Sequence, residues 1–119
     1  SIEPQRDKEK DTLLRYVATE YASSELSLEN TAATLGINRT KINDILKEEL
    51  GLTFTAYLKK LRLTEAARLL SESREANISE VAYWVGYNNV SYFNKLFKAE
   101  YGCTPKTFQT LCREKGRCL

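Results

Sequence analysis

The sequence predicts an all-α fold of seven helices, arranged as two helix-turn-helix units joined by a long linking helix. Apolar residues recur at helical spacing along the chain, and no stretch alternates as a half-buried strand would. Glycines, and Asn, Ser or Thr residues, fall where such helices would end and begin. The chain also repeats its own pattern, which indicates two related units.

The first half of the chain predicts three helices. Pro4 discourages a helix before it, so residues 1–5 are expected to be a frayed lead-in. Ser27 and Asn38 are the expected N-caps of the second and third helices, and Gly36 is the expected left-handed turn residue between them. The expected helical ranges are 7–22, 28–35 and 39–50. The expected core positions are Leu13, Leu14, Val17, Tyr21, Leu28, Thr31, Ala32, Leu35, Ile42, Ile45, Leu46 and Leu50.

The second half predicts four more helices. Thr53 is the expected N-cap of the long linking helix, whose broad apolar face indicates burial on several sides. Asn77 and Glu80 form a capping-box-like start for the fifth helix, which ends at Gly86. Thr104 and then a proline start the last helix. The expected helical ranges are 54–71, 78–85, 90–101 and 105–115.

An internal repeat relates the two units. At an offset of 50 residues, Gly36 aligns with Gly86 and Asn38 with Asn88; one extra residue in the second turn then makes the offset 51. An insertion in a turn is the one a fold tolerates best. The other aligned pairs include Leu28/Ile78, Ala32/Ala82, Ile42/Phe93, Asn43/Asn94, Leu46/Phe97, Gly51/Gly102 and Thr53/Thr104. The shared core positions and glycines predict a duplicated helix-turn-helix.

The composition narrows the function. No apolar run approaches the ~18 residues that a membrane span needs, so we expect a soluble cytoplasmic segment without membrane contact. The chain has no histidine and three cysteines, which removes the usual zinc ligand set and the commonest general base. We therefore expect no metal, no cofactor and no catalytic residue. Cys103, Cys112 and Cys118 are interpreted as free thiols.

Charge is distributed unevenly along the chain. Residues 1–26 carry 4 basic and 6 acidic groups, whereas residues 77–119 carry 6 and 3. The basic half contains the second helix-turn-helix unit. This gradient favours an anionic partner there.

The exposed face of the second helix in each unit is the candidate interface with double-stranded DNA. Such a helix fits the major groove with its N-terminal residues nearest the base edges. Arg and Lys can donate to guanine, Asn can pair with adenine, and Val or Thr methyls can contact thymine. The candidate base contacts are Arg39, Thr40, Lys41, Asn43 and Asp44 in the first unit and Val90, Ser91, Asn94 and Lys95 in the second. A solvated surface role is an equal alternative for any one of them.

Two further lysines and the linking helix complete this interpretation. Lys47 and Lys98 lie one turn further on and are candidate phosphate contacts, with a solvated role again the alternative. A linking helix of about 18 residues spans roughly 27 Å. That length is close to the ~34 Å between successive major-groove faces, so one chain could place both recognition helices on one side of a duplex.

The stretch 78–105 also carries a family resemblance. Its pattern I-x-x-V-A-x-x-V-G-Y…Y-F-x-x-x-F-K-x-x-Y-G-x-T-P resembles the signature of AraC/XylS-type bacterial transcription regulators, and 57–70 is similar to that family's linking helix. The resemblance implies a DNA-binding domain with the third and sixth helices in adjacent major grooves. The implied organisation is one domain over 1–119, with units 7–52 and 77–115 joined by the linking helix 53–72.

The resemblance also implies contact positions and partners. The implied base contacts are the residues already given, except Arg39, and Asp44 departs from the basic or amide residue common at its position. An acid there costs affinity near phosphates unless it accepts from a cytosine amino group. An effector or sensor domain in the parent chain and RNA polymerase are the further partners implied.

Two alternatives remain beside transcription regulation by sequence-specific DNA binding. The first is a helical protein-interaction module that contacts the transcription machinery without specific DNA binding. The second is an enzyme that uses Cys103, whose thiol pKa the start of the last helix would lower. Without histidine or a visible base partner, the sequence argues against an enzyme.

Overall fold

A computed structural model describes the backbone of residues 2–115 and the side chains of residues 4–114. Within that range the chain forms seven α-helices and no strand, which confirms the predicted fold class. The helices are α1 Ile2–Glu20, α2 Leu28–Leu35, α3 Arg39–Leu50, α4 Phe54–Glu72, α5 Ile78–Trp84, α6 Val90–Tyr101 and α7 Pro105–Lys115. The chain divides into two compact units, Ser1–Leu61 and Arg62–Leu119, and the boundary falls within α4.

Helix α1 differs from its prediction at both ends. It begins at Ile2 rather than at Asp7, so the expectation of a frayed lead-in is wrong for the described residues. Pro4 is compatible with this start because the first-turn N–H groups of a helix have no intrahelical partner. The helix ends at Glu20, whose carbonyl accepts from the backbone N–H of Ser23 at 2.9 Å.

The core of the first unit is built by one face each of α1 and α3, by the first turns of α4, and by Leu26 and Ile37 from the segments that flank α2. Its buried apolar residues are Leu13, Val17, Leu26, Ile37, Ile42, Ile45, Leu46, Phe54 and Leu58. Leu50 was expected in this core but is exposed at the C-terminal end of α3, so that prediction is wrong. Thr31 is fully buried, as predicted, and its hydroxyl oxygen has no hydrogen-bond partner within the part of the chain that the structure describes.

Local side-chain bonds fix the first helix-turn-helix. Ser27 caps α2 by accepting from the Asn30 N–H at 3.1 Å, while the Asn30 side chain accepts from the Ser27 N–H at 3.0 Å. Gly36 then takes a left-handed φ of 68°, a conformation that costs glycine little. Asn38 caps α3 by accepting from the Lys41 N–H at 2.8 Å, as predicted. Both ends of the turn are therefore specified by its own residues.

The core of the second unit is aromatic. The Phe97 ring lies 5.8 Å from the Phe93 ring, 4.6 Å from the Tyr101 ring and 5.3 Å from the Phe108 ring, measured between centroids. The other buried residues of this core are Leu63, Ala66, Ala67, Leu70, Val81, Ala82, Val85, Tyr87 and Cys112. Helices α6 and α7 therefore pack through a cluster of rings at geometries that aromatic pairs favour.

The second turn resembles the first but corrects the register of the repeat. Asn77 caps α5, as predicted, by accepting from the Ser79 N–H at 2.8 Å and the Glu80 N–H at 3.3 Å. The N-cap of α6 is Asn89, which accepts from the Tyr92 N–H at 2.9 Å. Asn38 therefore corresponds to Asn89 rather than to Asn88, and the extra residue lies before the cap.

A buried glutamine ties α7 to the segment between α4 and α5. The side-chain amide of Gln109 is almost inaccessible to solvent. Its nitrogen donates to the carbonyl oxygens of Ser73 at 3.1 Å and Ala76 at 2.9 Å. Two loop carbonyls are satisfied in this way, as buried polar groups require.

The cysteines do not behave alike. Cys103 is a free thiol, as expected. Cys112 is disulfide-bonded, so the expectation of a free thiol is wrong at that position. Cys118 lies outside the described residues.

Candidate nucleic-acid interface

The first turn of α3 presents the candidate residues of the first unit at two depths. Arg39, Thr40 and Asp44 are exposed, whereas Lys41 and Asn43 are half-buried. The half-buried side chains of Lys41 and Asn43 bond to other parts of the protein, and these bonds limit the contacts that each side chain can make with DNA.

Lys41 has an acidic partner on α1. Its ammonium lies 2.7 Å from the Oε1 atom of Glu9, and the Glu9 side chain is only 15% exposed. This carboxylate oxygen is inaccessible and accepts no well-aligned hydrogen bond, so the nearby ammonium is the charge that compensates it. The α1 helix therefore holds the Lys41 side chain against the protein.

Arg39 also has an acidic neighbour, but in a different environment. Its guanidinium lies 3.6 Å from the Glu29 carboxylate, and both side chains are largely exposed. Exposed pairs of this kind contribute about 0–1 kcal/mol. Arg39 is therefore able to leave Glu29 for a phosphate or a base.

Asn43 has a structural partner that the sequence did not reveal. Its side-chain oxygen accepts from the backbone N–H of Phe54 at 2.8 Å, in a partly buried position. This N–H belongs to the first turn of α4, where a helix has no intrahelical acceptor for it. A bidentate contact between Asn43 and adenine would require this bond to break.

The corresponding face of α6 is less encumbered. Ser91, Lys95 and Lys98 are exposed, while Val90 is half-buried against the core of the second unit. Neither lysine has a carboxylate within 4.0 Å among the described residues. The lysines of α6 therefore keep their full charge available to an anionic partner.

Asn94 is the repeat counterpart of Asn43, yet its surroundings differ. The residue that corresponds to Phe54 is Pro105, the first residue of α7. Proline has no backbone N–H, so the bond made by Asn43 has no equivalent. The half-buried Asn94 side chain makes no hydrogen bond within the described chain.

Tyr92 belongs to this face, although the sequence-based list omitted it. It occupies the repeat position of Lys41, and 53% of the residue is exposed. Its ring meets the Tyr87 ring edge-on at 6.2 Å, and the Arg62 guanidinium lies 5.2 Å from the centre of the Tyr87 ring. The repeat offset of 51 could have revealed Tyr92, because it aligns Tyr92 with the candidate residue Lys41.

Burial shifts the pKa of both members of the Arg62–Tyr87 contact, and the contact itself opposes each shift. Burial raises the pKa of the Tyr87 phenol, and the neighbouring Arg62 charge partly opposes that rise. Burial lowers the pKa of Arg62. A cation over a ring away from water is one of the stronger cation–π arrangements. This contact therefore steadies the turn that leads into α6.

Helix α5 carries an aromatic pair of its own. Tyr83 and Trp84 lie next to one another in its last turn, and both rings are largely exposed.

No helix in the described part of the chain has an apolar stretch long enough to cross a membrane.

Each unit thus has the geometry of a DNA-binding helix-turn-helix, with a capped second helix whose first turn faces solvent. A family model described as a helix-turn-helix domain matches residues 31–110. The chain belongs to this AraC/XylS-type helix-turn-helix family.

Named relatives and solved structures agree with that family. The chain is 35% identical over 91 residues to the transcriptional activator RhrA of Rhizobium meliloti, covering 76% of this chain and 29% of the relative. The C-terminal domain of AraT, a response regulator from Geobacillus stearothermophilus, superposes with a TM-score of 0.81 at 31% identity, covering 86% of this chain and 84% of that one.

A third comparison concerns the fold alone. The DNA-binding domain of AdpA, solved in complex with a target DNA, superposes with a TM-score of 0.81 at 19% identity, covering 89% of this chain and 94% of that one. The chain spans 39% or less of the length of the first curated relatives it matches.

Proposed function

We propose that this domain binds double-stranded DNA sequence-specifically and thereby regulates bacterial transcription. The observation that carries the proposal is the duplicated helix-turn-helix, in which both second helices expose a first turn rich in groups that can contact bases. Membership of the AraC/XylS-type family supports the same function.

The second unit is proposed as the main source of affinity. Ser91, Asn94 and Lys95 are the proposed base contacts on α6, with Tyr92 beside them and the Val90 methyls available to a thymine methyl. Lys98 is the proposed phosphate contact. The support is that, among the described residues, neither lysine has a carboxylate partner and the Asn94 side chain makes no hydrogen bond that it would have to break.

The first unit is proposed to read fewer positions. Arg39, Thr40 and Asp44 are exposed and available on α3, and an Asp44 carboxylate can accept from a cytosine amino group. Lys41 and Asn43 belong to the proposed interface by position, but a contact with a base would require each of them to part from a partner within the protein. Lys47 is the proposed phosphate contact of this unit.

The proposed organisation is one domain over 1–119, with units 7–52 and 77–115 joined by the linking helix 53–72. The 19 residues of α4 correspond to a helix of about 28 Å. This length supports the proposal that α3 and α6 enter successive major grooves, whose spacing is ~34 Å.

The wider context is also a proposal. The relatives are several times longer than this chain, which supports an effector or sensor domain in the parent protein. One of them is named a transcriptional activator, which supports activation through contact with RNA polymerase. A chromosomal DNA target implies action in the cytoplasm. A non-enzymatic role is also proposed, and the relatives that are named as transcription regulators support it.

Selection of bound sites from a random duplex pool, followed by a salt series on the winner, tests this function. We expect two short motifs about one helical turn apart and a steep fall in affinity with salt, because bound phosphates release counterions. Lys95→Ala should weaken binding to the selected site by about 1–3 kcal/mol if the Lys95 side chain contacts a base. Lys59→Ala, in an exposed position on α4, is the matched control. Absence of any selected motif would refute the proposal.

A second candidate is a protein-interaction module without specific DNA binding. The observation that favours it is the adjacent exposed pair Tyr83 and Trp84 on α5, since exposed aromatic side chains are enriched at protein interfaces. The same selection separates the two functions. Enrichment of no duplex, together with a change in Trp84 fluorescence on adding RNA polymerase, would favour the second.

A further inference from the structure

The ion pair between α1 and the recognition helix α3 goes beyond the contacts expected of a helix-turn-helix. Glu9 and Lys41 are 32 positions apart and meet at 2.7 Å. The pair sits where α3 would approach the base edges, and it joins that site to a helix outside the turn motif.

The two members of the pair are not equally free. Glu9 is 15% exposed, and its Oε1 atom is inaccessible and has no hydrogen-bond donor in good geometry. If Lys41 moved to DNA, this carboxylate would remain in a poorly solvated place without a compensating charge. Leaving one member of such a pair unpartnered is strongly destabilising, and this cost opposes the move.

We propose that Glu9 is a positioning residue that withholds Lys41 from DNA. The pair neutralises one cation in the first turn of α3, so that this turn has one charge fewer for phosphates of any sequence and contacts DNA through the exposed Arg39 and Thr40. Specificity of the first unit therefore depends on an acid that does not itself touch DNA. This inference rests on the DNA binding proposed above.

Glu9→Gln is the first test because it removes the charge while keeping the size of the side chain. The released Lys41 is long and flexible and can reach a phosphate. We expect binding to random duplex DNA to gain one phosphate contact. The plot of log affinity against log salt should then be steeper by about 0.9, and the ratio of specific to non-specific affinity should fall.

Two companion variants separate this mechanism from a general change in charge. Asp7→Asn removes an acid from the same helix, but Asp7 is 74% exposed and lies 4.0 Å from its lysine partner. It should leave the salt slope unchanged. The double variant Glu9→Gln/Lys41→Gln has the net charge of the wild type and should return the slope to the wild-type value.

A measurement on the wild-type protein needs no variant to fold. Nuclear Overhauser contacts between the Lys41 ε-methylene and the Glu9 methylenes should be present in the free protein and should be retained when the protein binds a specific duplex. Loss of those contacts on DNA would overturn the proposal. So would an unchanged slope in Glu9→Gln, an equal effect of Asp7→Asn, or a steep slope that persists in the double variant.

The proposal and the underlying function fail in different ways. If the wild-type chain binds no duplex, both fall, although the Glu9–Lys41 contact would still be seen in the free protein. If the wild type binds DNA with normal salt dependence and Glu9→Gln behaves like the wild type, DNA binding stands and only the role of Glu9 is overturned.

Discussion

The two repeat-related asparagines offer the sharpest separation of folding from DNA binding. Asn43 accepts from the Phe54 N–H at 2.8 Å, whereas the residue facing Asn94 at the start of α7 is Pro105, which has no N–H to donate. We therefore expect Asn43→Ala to destabilise the protein and Asn94→Ala to weaken DNA binding. The same substitution at equivalent positions should therefore lower stability in one case and DNA affinity in the other.

The magnitude for Asn43→Ala follows from the environment of the bond. Phe54 is 1% exposed, so water replaces the lost acceptor poorly. An unsatisfied buried donor costs about 1–3 kcal/mol, and loss of a helix cap costs about 0.5–2 kcal/mol. We expect a loss of about 1–2 kcal/mol, which lowers the Tm of a domain of this size by roughly 4–8 °C.

Two comparison variants, Asn43→Asp and Asn94→Ala, test whether the lost hydrogen bond causes the destabilisation. Asn43→Asp keeps an acceptor at the N-terminus of α4, where negative charge is favourable, so its Tm should stay close to that of the wild type. Asn94→Ala should change stability by less than about 0.5 kcal/mol and weaken a selected duplex by about 1–3 kcal/mol.

Thermal unfolding followed by circular dichroism measures the first quantity, and titration of a labelled duplex well below the Tm measures the second. Equal losses of Tm in Asn43→Ala and Asn94→Ala would refute the structural distinction between them. A weaker affinity of folded Asn43→Ala with an unchanged Tm would show that Asn43 reads bases instead of capping α4.

Three further predictions concern stability. Thr31→Val should stabilise the protein by about 1 kcal/mol, because it removes a buried hydroxyl that has no partner among the described residues. The reverse change at the repeat counterpart, Val81→Thr, should destabilise the protein. Chemical denaturation measures both effects. Gln109→Glu should cost about 2–4 kcal/mol, since it turns a donor to two carbonyls into an acceptor, and an unchanged midpoint would contradict the bonding described. Burial raises the pKa of Tyr87 above its usual 10.0, so the stability gained from the neutral phenol is complete below about pH 10 and is lost as the pH rises through the raised value. Tyr87→Phe should remove that alkaline loss, and a pH series of denaturation midpoints in both proteins checks it.

Most of the fold was accessible from sequence because helices are specified locally. Asn38 and Asn77 cap the helices they were expected to cap, and each bonds to an N–H within three residues. Helix α1 was predicted too short because its first turns are polar and offer no periodic apolar face. The side chains of Arg6 and Lys10 instead pair with acids on α3, Arg6 with Glu48 at 2.8 Å and Lys10 with Glu49 at 3.6 Å, and such long-range partners are invisible to a local pattern.

The candidate site was predictable in position but not in chemistry. Helical spacing placed the candidate residues on the second helix of each unit. It did not reveal that Lys41 turns toward Glu9 or that Asn43 turns toward Phe54, since each partner lies on another helix. Tyr92 was not predicted, although the repeat offset of 51 aligns it with Lys41. What a side chain can offer to DNA depends on what it has already bonded within the protein.

The repeat shows how two copies of one unit come to act differently. In α3 the first-turn cations Arg39 and Lys41 each have an acid neighbour, whereas in α6 Lys95 and Lys98 have none among the described residues. Phosphate contacts supply much of the affinity for any duplex, and only uncompensated cations contribute fully to it. The second unit is therefore suited to anchor the domain on DNA. On the proposed function, we expect the first unit to add less affinity of that kind, because of its α3 cations only Lys47 has no carboxylate partner among the described residues.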